Sequence, residues 1–165
     1  MAKVRSTNEL ENRLVALRDP DWHIRYQAAR ALAEMGEEAV DALIPLLEDP
    51  DSFVREQAAK ILGKIKSPEA IPALLKRLDD PNGSVRQEAI RALAQIGEPA
   101  KAPLLERLQH ESLTVRRSAI QALAQMGDPS VRPHLERIAN DMSESPAIRW
   151  EAKLAVNRIR LQSLR

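Results

Sequence analysis

The sequence predicts an all-α protein, a right-handed α-α superhelix of five helix pairs in a single domain, residues 1–165. An apolar residue followed by arginine recurs at intervals of 30, 31, 30 and 33 residues: Ile24-Arg25, Val54-Arg55, Val85-Arg86, Val115-Arg116 and Ile148-Arg149. Self-similarity at such a period is typical of repeat proteins. Hydrophobic residues make up 44% but aromatic residues only 2%, which favours closely packed helices over a sheet. The predicted repeats are 6–36, 37–66, 67–97, 98–127 and 128–160.

The second helix of each pair carries the repeated arginine. An alanine stands three residues after it, at Ala28, Ala58, Ala89, Ala119 and Ala152. A larger apolar residue follows seven and again ten residues after it, so the apolar positions form one stripe of a helix. Four residues before each arginine stands a good N-cap: Asp21, Asp51, Asn82, Ser112 or Ser145. Glycine is expected to end three of these helices, at Gly36, Gly97 and Gly127.

A shorter first helix is predicted upstream of each second helix. The predicted segments are Leu10–Leu17, Val40–Leu47, Ile71–Leu78, Ala102–Leu108 and Val131–Ile138. The first should open at a capping box, Ser6 to Glu9, and Pro45 should bend the second. Asp-Pro turns join the helices of the first three pairs, at Asp19-Pro20, Asp49-Pro50 and Asp80-Pro81. At the two ends, Arg13, Lys153 and Asn157 replace residues that are apolar or small in inner repeats, which predicts polar caps.

Composition and motifs give no support for an enzyme. The net charge is +1 and cysteine is absent, so neither a general attraction to nucleic acid or membrane nor thiol chemistry is expected. The three histidines lack metal-ligand spacing, and no phosphate loop or nucleophile elbow is present. We therefore predict no catalytic residue, no metal site and no cofactor. Without a secretory or membrane-spanning segment, a cytoplasmic location is expected.

The repeats resemble the HEAT family, specifically its short, phycobilisome-lyase-like class, from about Leu10 to Ile159. The resemblance implies a convex layer of first helices and a concave layer of second helices. It also implies a polar ladder between repeats, formed by turn aspartates and helix arginines: Asp19, Asp49 and Asp80 with Arg25, Arg55, Arg86, Arg116 and Arg149. The fourth and fifth turns lack the aspartate, so weaker coupling is expected there.

The aromatic residues indicate the binding surface. All four lie on second helices outside the buried stripe, and Trp and Tyr are common anchors of protein interfaces. Trp22 and Phe53 could equally cover helix starts between repeats. The predicted partner-binding residues on the concave face are Trp22, Tyr26, Arg30, Phe53, Gln57, Lys60, Gln87, Arg91, Arg117, Gln121 and Trp150. Their mixed charge suits a protein groove better than a nucleic-acid track.

The first functional hypothesis is a noncatalytic protein-binding scaffold or adaptor, whose partner is another protein. The alternative is a bilin lyase or chromophore-handling factor, because residues 22–29 resemble a stretch of phycobilisome-related HEAT proteins. A HEAT-like DNA-repair glycosylase is a third hypothesis, which a basic groove would favour. Residues 1–82 carry 12 basic and 15 acidic residues and residues 83–165 carry 13 and 9. This asymmetry could serve an oppositely charged partner or weak head-to-tail self-association.

Overall fold

The computed structural model describes residues 2–164, with side chains from Asn8 onward, and consists of paired helices. The helices are α1 (Ala2–Ala16), α2 (Trp22–Met35), α3 (Val40–Leu43), α4 (Ser52–Ile65), α5 (Ile71–Lys76), α6 (Gly83–Ile96), α7 (Glu98–Arg107), α8 (Leu113–Met126), α9 (Arg132–Asn140) and α10 (Pro146–Gln162). Residues 2–164 contain no strand. The predicted α-α superhelix of five helix pairs is confirmed. None of the described helices is long and apolar enough to cross a lipid bilayer.

The second helices, α2, α4, α6, α8 and α10, begin where their caps predict. Each N-cap side chain accepts a backbone N–H from the first turn, for example Asp51 from Phe53 and Ser145 from Ile148. Gly97 and Gly127 end α6 and α8 with φ of 79° and 70°, a conformation that costs glycine little. Gly36 likewise ends α2. At the end of α4, Lys66 adopts the left-handed conformation instead.

The first helices depart from their predicted bounds. α1 begins at Ala2, so the expected capping box lies inside the helix and does not start it. Around Pro45 the chain changes from the α-helix α3 to a 3-10 segment, Ile44–Glu48, because proline lacks the N–H that an α-helical turn requires. Short 3-10 segments also flank α5 and precede α9. This layer is therefore less regular than the second-helix layer.

The core lies between the two layers. The alanines that follow the repeat arginines are between 0% and 5% exposed. Each second helix packs against the next, and α4 and α6 are in particularly extensive contact. The absence of large side chains at these positions lets the helices approach closely. At the first end, Ile24 is 41% exposed because no earlier second helix packs against α2 within the described residues, whereas its counterparts Val54 and Val85 are fully buried.

The polar ladder between repeats is present but differs in its partners. Arg55 donates to both carboxylate oxygens of Asp80, at 2.8 and 2.9 Å, as expected. Arg25 pairs with the N-cap Asp51, however, while Asp49 pairs with Arg18. Asp19 accepts the Asp21 amide within its own turn.

Coupling of the fifth repeat was underestimated from the sequence. Arg116 donates to Glu144 at 2.9 Å, so the longer fifth turn supplies the acidic group that the Asp-Pro turns provide elsewhere. The fourth repeat is joined to the third by hydrogen bonds from Ser112 to Asp79, at 3.2 Å, and from Ser118 to the Leu78 carbonyl, at 3.0 Å. Arg55, Arg86 and Arg116 also donate to two carbonyls of their own turn. The arginine therefore holds its own helix pair together as well as the stack.

Candidate functional site

The second helices form a grooved surface, which we call the second-helix face. A groove of about 340 Å³ lies between α2 and α4, lined by Tyr26, Gln27, Ala29, Arg30, Gln57, Lys60, Ile61 and Lys64. A groove of about 450 Å³ lies near the starts of α8 and α10 and includes Gln87, Arg117 and Gln121. The predicted residues Tyr26, Arg30, Lys60, Gln87, Arg117 and Gln121 thus line grooves on one face. These grooves are open and shallow, which suits a bound chain segment.

Three predicted aromatic residues meet at the first end of this face. The Tyr26 ring lies edge-on to both Trp22 and Phe53, with centroid distances of 5.8 and 5.7 Å. His23 stacks on Trp22 at 3.6 Å, and the Arg25 guanidinium lies 3.7 Å from the Phe53 ring centre. Trp22 is 59% and Tyr26 48% exposed. We call Trp22, Tyr26 and Phe53 the aromatic cluster.

Trp22 and Phe53 were predicted either to bind a partner or to cover helix starts between repeats, and their positions in the structure differ. Phe53 is half-buried and does cover the start of α4, beneath Arg25. Trp22 remains exposed and extends the surface that Tyr26 presents. Edge-to-face pairs hold their rings in place, so the cluster is a preformed apolar surface.

Trp150 lies at the opposite end of the second-helix face and is 63% exposed. It makes no ring contact with another aromatic residue among the described side chains. Its neighbours along the exposed side of α10 are Leu154 and Leu161, which are 47% and 66% exposed. The sequence analysis did not single out these two leucines because it interpreted this helix as the polar end of the solenoid. Their exposure makes α10 the second apolar area of the face.

One predicted binding residue, Gln57, lines the predicted face but is almost fully buried. Gln57 was assigned to the exposed concave register, but it is only 2% exposed. Its helix, α4, is packed by α2 on one side and by α6 on the other, so this register is covered in the middle of the stack. The Gln57 amide lies 3.4 Å from the Glu56 carboxylate. Gln57 therefore forms the floor of the α2–α4 groove and offers little surface to a partner.

The charged residues of the face form short-range pairs of both signs. Arg30 bonds to Glu34, Arg91 to Glu88, and Arg117 to Glu151. Gln121 also donates to Glu151, at 3.0 Å. Lys60 is half-buried between the Arg30 and Arg91 positions. A face with this pattern lacks the continuous positive stripe that nucleic acid requires.

Electrostatics at the centre of the face involve Glu56. Burial raises the pKa of its carboxyl, and the nearby Glu88 raises it further, while Lys60 acts in the opposite direction. Like charges held close together and partly desolvated destabilise each other. A cationic or hydrogen-bonding group arriving between α4 and α6 would relieve that repulsion.

The described residues include no group of three or more His, Asp or Glu side chains that could hold a metal ion. Three ion pairs of the second-helix face are instead spread along four helices, α2, α6, α8 and α10. Such an arrangement provides many separate contacts to an extended partner.

Comparison with known proteins agrees with this architecture. A model of HEAT repeats matches residues 10–94 and 71–157. No curated protein matches the sequence. A chain from the complex of CpcE and CpcF of phycocyanin lyase from Nostoc sp. PCC7120 is 22% identical, with a TM-score of 0.63, covering 90% of this chain and 98% of that one.

A second similar structure is that of a Kap121p mutant. It is 19% identical with a TM-score of 0.52, covering 96% of this chain but 20% of that one. At these identities the two likenesses show the fold alone. The family match itself spans most of the sequence, from residue 10 to residue 157. This chain belongs to the HEAT-repeat family.

Proposed function

We propose that the chain is a noncatalytic scaffold or adaptor that binds another protein on its second-helix face. The observation that carries the proposal is the aromatic cluster, in which Trp22 and Tyr26 pack edge to face and yet stay about half exposed. Large rigid aromatic side chains bury much area at little entropic cost when a partner covers them. Monomeric surfaces seldom retain such a cluster without a binding role.

The dimensions of the face indicate the size of the partner segment. Adjacent packed helices are about 8–10 Å apart, so α2 and α10 are separated by roughly 32–40 Å along the stack. An extended chain advances about 3.3 Å per residue, and some 10–12 residues would reach from Tyr26 to Trp150. The paired charges between the two ends, at Arg30, Arg91 and Arg117, would supply polar contacts along that path.

The first test removes the exposed cluster. Tyr26→Ala and Trp22→Ala should each weaken the captured partner by about 2 kcal/mol, or roughly 30-fold in Kd, because each deletes an aromatic anchor. The partner would be captured from the source cell, identified by mass spectrometry and titrated calorimetrically against each variant. Thermal unfolding of the same samples should change little, since both side chains are largely solvent-exposed.

Matched controls lie on the first helices. Lys76 and Glu106 are exposed on the other layer, so Lys76→Ala and Glu106→Ala should leave the affinity unchanged. Loss of binding in these controls, with normal binding by the aromatic variants, would move the functional surface to the first-helix layer and refute the proposal.

Bilin handling is a second candidate function. It is favoured by the fold likeness to a chain of the phycocyanin lyase complex and by the α2–α4 groove, which combines the Tyr26 ring with Arg30, Lys60 and Lys64. Two propionate groups of a bilin could pair with such cations while the tetrapyrrole covers the apolar lining.

Absorbance spectroscopy tests this second function directly. A bilin mixed with the purified chain should show a shifted and sharpened long-wavelength band if the groove fixes its conformation. Lys60→Ala combined with Lys64→Ala should abolish the shift, whereas Lys76→Ala should preserve it. A spectrum identical to that of free bilin at every protein concentration would exclude this function.

A further inference from the structure

Helix α10 has two apolar sides, and only one of them packs against the rest of the described structure. Ile148, Ala152, Ala155 and Ile159 are at most 3% exposed and pack against α8 and α9. On the opposite side, Trp150, Leu154 and Leu161 are 63%, 47% and 66% exposed. Leu164, just beyond the helix, is 77% exposed. An apolar row of this length on one surface helix is larger than the scattered leucines of ordinary surfaces.

The spacing of the exposed row is that of a coiled-coil seam. Trp150, Leu154, Asn157 and Leu161 on α10, followed by Leu164 just past its end, are separated by four, three, four and three residues. This is the alternation of a and d positions in a heptad repeat, with one asparagine among apolar residues. We call these five residues the α10 seam. In this assignment Asn157 is a d position, and its polar side chain would favour the one register of a paired helix in which it meets another polar group.

The residues beside the seam are cationic. Lys153 and Arg160 occupy g positions and Arg158 an e position, on the two sides of the apolar row. All three are exposed, and none has an ion-pair partner among the described side chains. The remaining e position is Glu151, whose carboxylate is held by Arg117 and Gln121. The border of the seam is therefore positive.

This charge pattern disfavours a second copy of α10 as the occupant. In a parallel pair, Lys153 of one copy would face Arg158 of the other, and in an antiparallel pair, where g positions face g positions, Lys153 would face Arg160. Both arrangements place cations opposite cations. A further repeat stacked on this end is also disfavoured, because Lys153 and Asn157 stand where inner second helices carry Ala, Gly or Ile.

We propose that the α10 seam docks an acidic amphipathic helix of another protein. That helix would place leucine or isoleucine at its a and d positions, an asparagine opposite Asn157, and glutamate or aspartate at its e and g positions. The leucines would bury Trp150, Leu154 and Leu161, and the carboxylates would pair with Lys153, Arg158 and Arg160. This inference rests on the proposed function, since Trp150 belongs to the second-helix face, and it gives that end of the face a partner of defined chemistry.

The test uses the intact chain and a labelled synthetic peptide of about three heptads. The peptide has leucine at a and d, one asparagine at the matching position, and glutamate at e and g. Fluorescence anisotropy should report saturable binding that weakens as salt is added, because the flanking pairs are exposed. A peptide with lysine at e and g should bind about tenfold more weakly or worse.

Variants of the chain locate the site. Leu154→Gln and Leu161→Gln should each weaken the acidic peptide about tenfold, with little change in melting temperature. Arg158→Glu combined with Lys153→Glu should reverse the preference in favour of the lysine peptide. Leu113→Gln is the matched control, because Leu113 is equally exposed, at 52%, but lies at the start of α8.

Several outcomes would overturn the proposal. They are an absence of peptide binding, equal binding of the acidic and lysine peptides, and binding only to vesicles that contain anionic lipid. Self-association abolished by Leu161→Gln would likewise assign the seam to a second copy. Tyr26→Ala separates the two proposals: if the peptide requires Tyr26 and ignores Leu154, the seam is refuted while the second-helix face stands. If the peptide binds the α10 seam but no captured partner depends on Tyr26, the proposed function of the aromatic cluster is refuted while the seam stands.

Discussion

Replacing Asp80 with asparagine should lower the free energy of unfolding by about 3–5 kcal/mol, the usual result of removing one member of a buried ion pair. The Asp80 side chain is fully buried and that of Arg55 is 11% exposed. Two hydrogen bonds, at 2.8 and 2.9 Å, join the guanidinium to the carboxylate across the second and third repeats. Without the carboxylate, the Arg55 cation stays buried between helices. Urea denaturation at neutral pH measures the loss.

The pH dependence of the stability lost in Asp80→Asn provides a second measurement. Burial raises the pKa of the Asp80 carboxyl, but hydrogen bonds from Arg55 and from the Asn82 amide more than compensate, so its pKa lies below the usual range. A pKa lowered on folding stabilises the protein above the ordinary aspartate pKa and loses that effect as the pH falls through the lowered value. The difference in free energy of unfolding between the native chain and Asp80→Asn should therefore be largest at neutral pH and decrease as the pH falls.

The Arg30–Glu34 pair provides the control. Its side chains are 84% and 66% exposed, and exposed pairs contribute well under about 1 kcal/mol. Glu34→Gln should consequently have little effect at any pH. Equal losses for Glu34→Gln and Asp80→Asn, or an Asp80→Asn gap that widens in acid, would contradict the role assigned to the Arg55–Asp80 pair.

The second helices could be predicted closely because several independent signals coincide in them. At α4, for instance, the Asp51 cap, the Val54 position and the Ala58 stripe all favour the same helix, and its neighbours repeat the pattern. First helices other than α1 carry fewer signals, since they are short and have prolines within or beside them. Their division into α and 3-10 turns around Pro45 depends on packing against the second helices.

Prediction of the site was less complete, because its geometry arises between repeats. The four-residue spacing of Trp22 and Tyr26 places them on one side of α2, and this was readable from the sequence. Contact of Tyr26 with Phe53, and of Arg25 with the Phe53 ring, requires the distance and rotation between α2 and α4. The burial of Gln57 could not be predicted for the same reason, because helical register alone does not indicate how much of one helix its neighbouring helices cover.

Gly63→Ala should destabilise the chain by about 1–3 kcal/mol, the usual cost of forcing an extra methyl group into a packed interface. A Cβ atom at Gly63 would lie 2.6 Å from the Cα and 2.8 Å from the Cβ of Ala92. The obstacle is the backbone of α6, which cannot rotate away as a long side chain could. Helix propensity alone predicts the opposite, a gain of about 1 kcal/mol for alanine within α4. The sign of the change therefore reports which effect dominates.

Sequence comparison among the repeats would not reveal this sensitivity, because Ala33, Ala94 and Ala124 occupy the same register and are tolerated. Gly83→Ala is the matched control: Gly83 begins α6, and its added Cβ would meet only the Arg86 guanidinium, at 3.6 Å. Thermal unfolding of Gly83→Ala should be unchanged or slightly raised, while that of Gly63→Ala should fall. If Gly63→Ala melts at or above the temperature of the native chain, α4 and α6 are not packed as closely as the second-helix face requires.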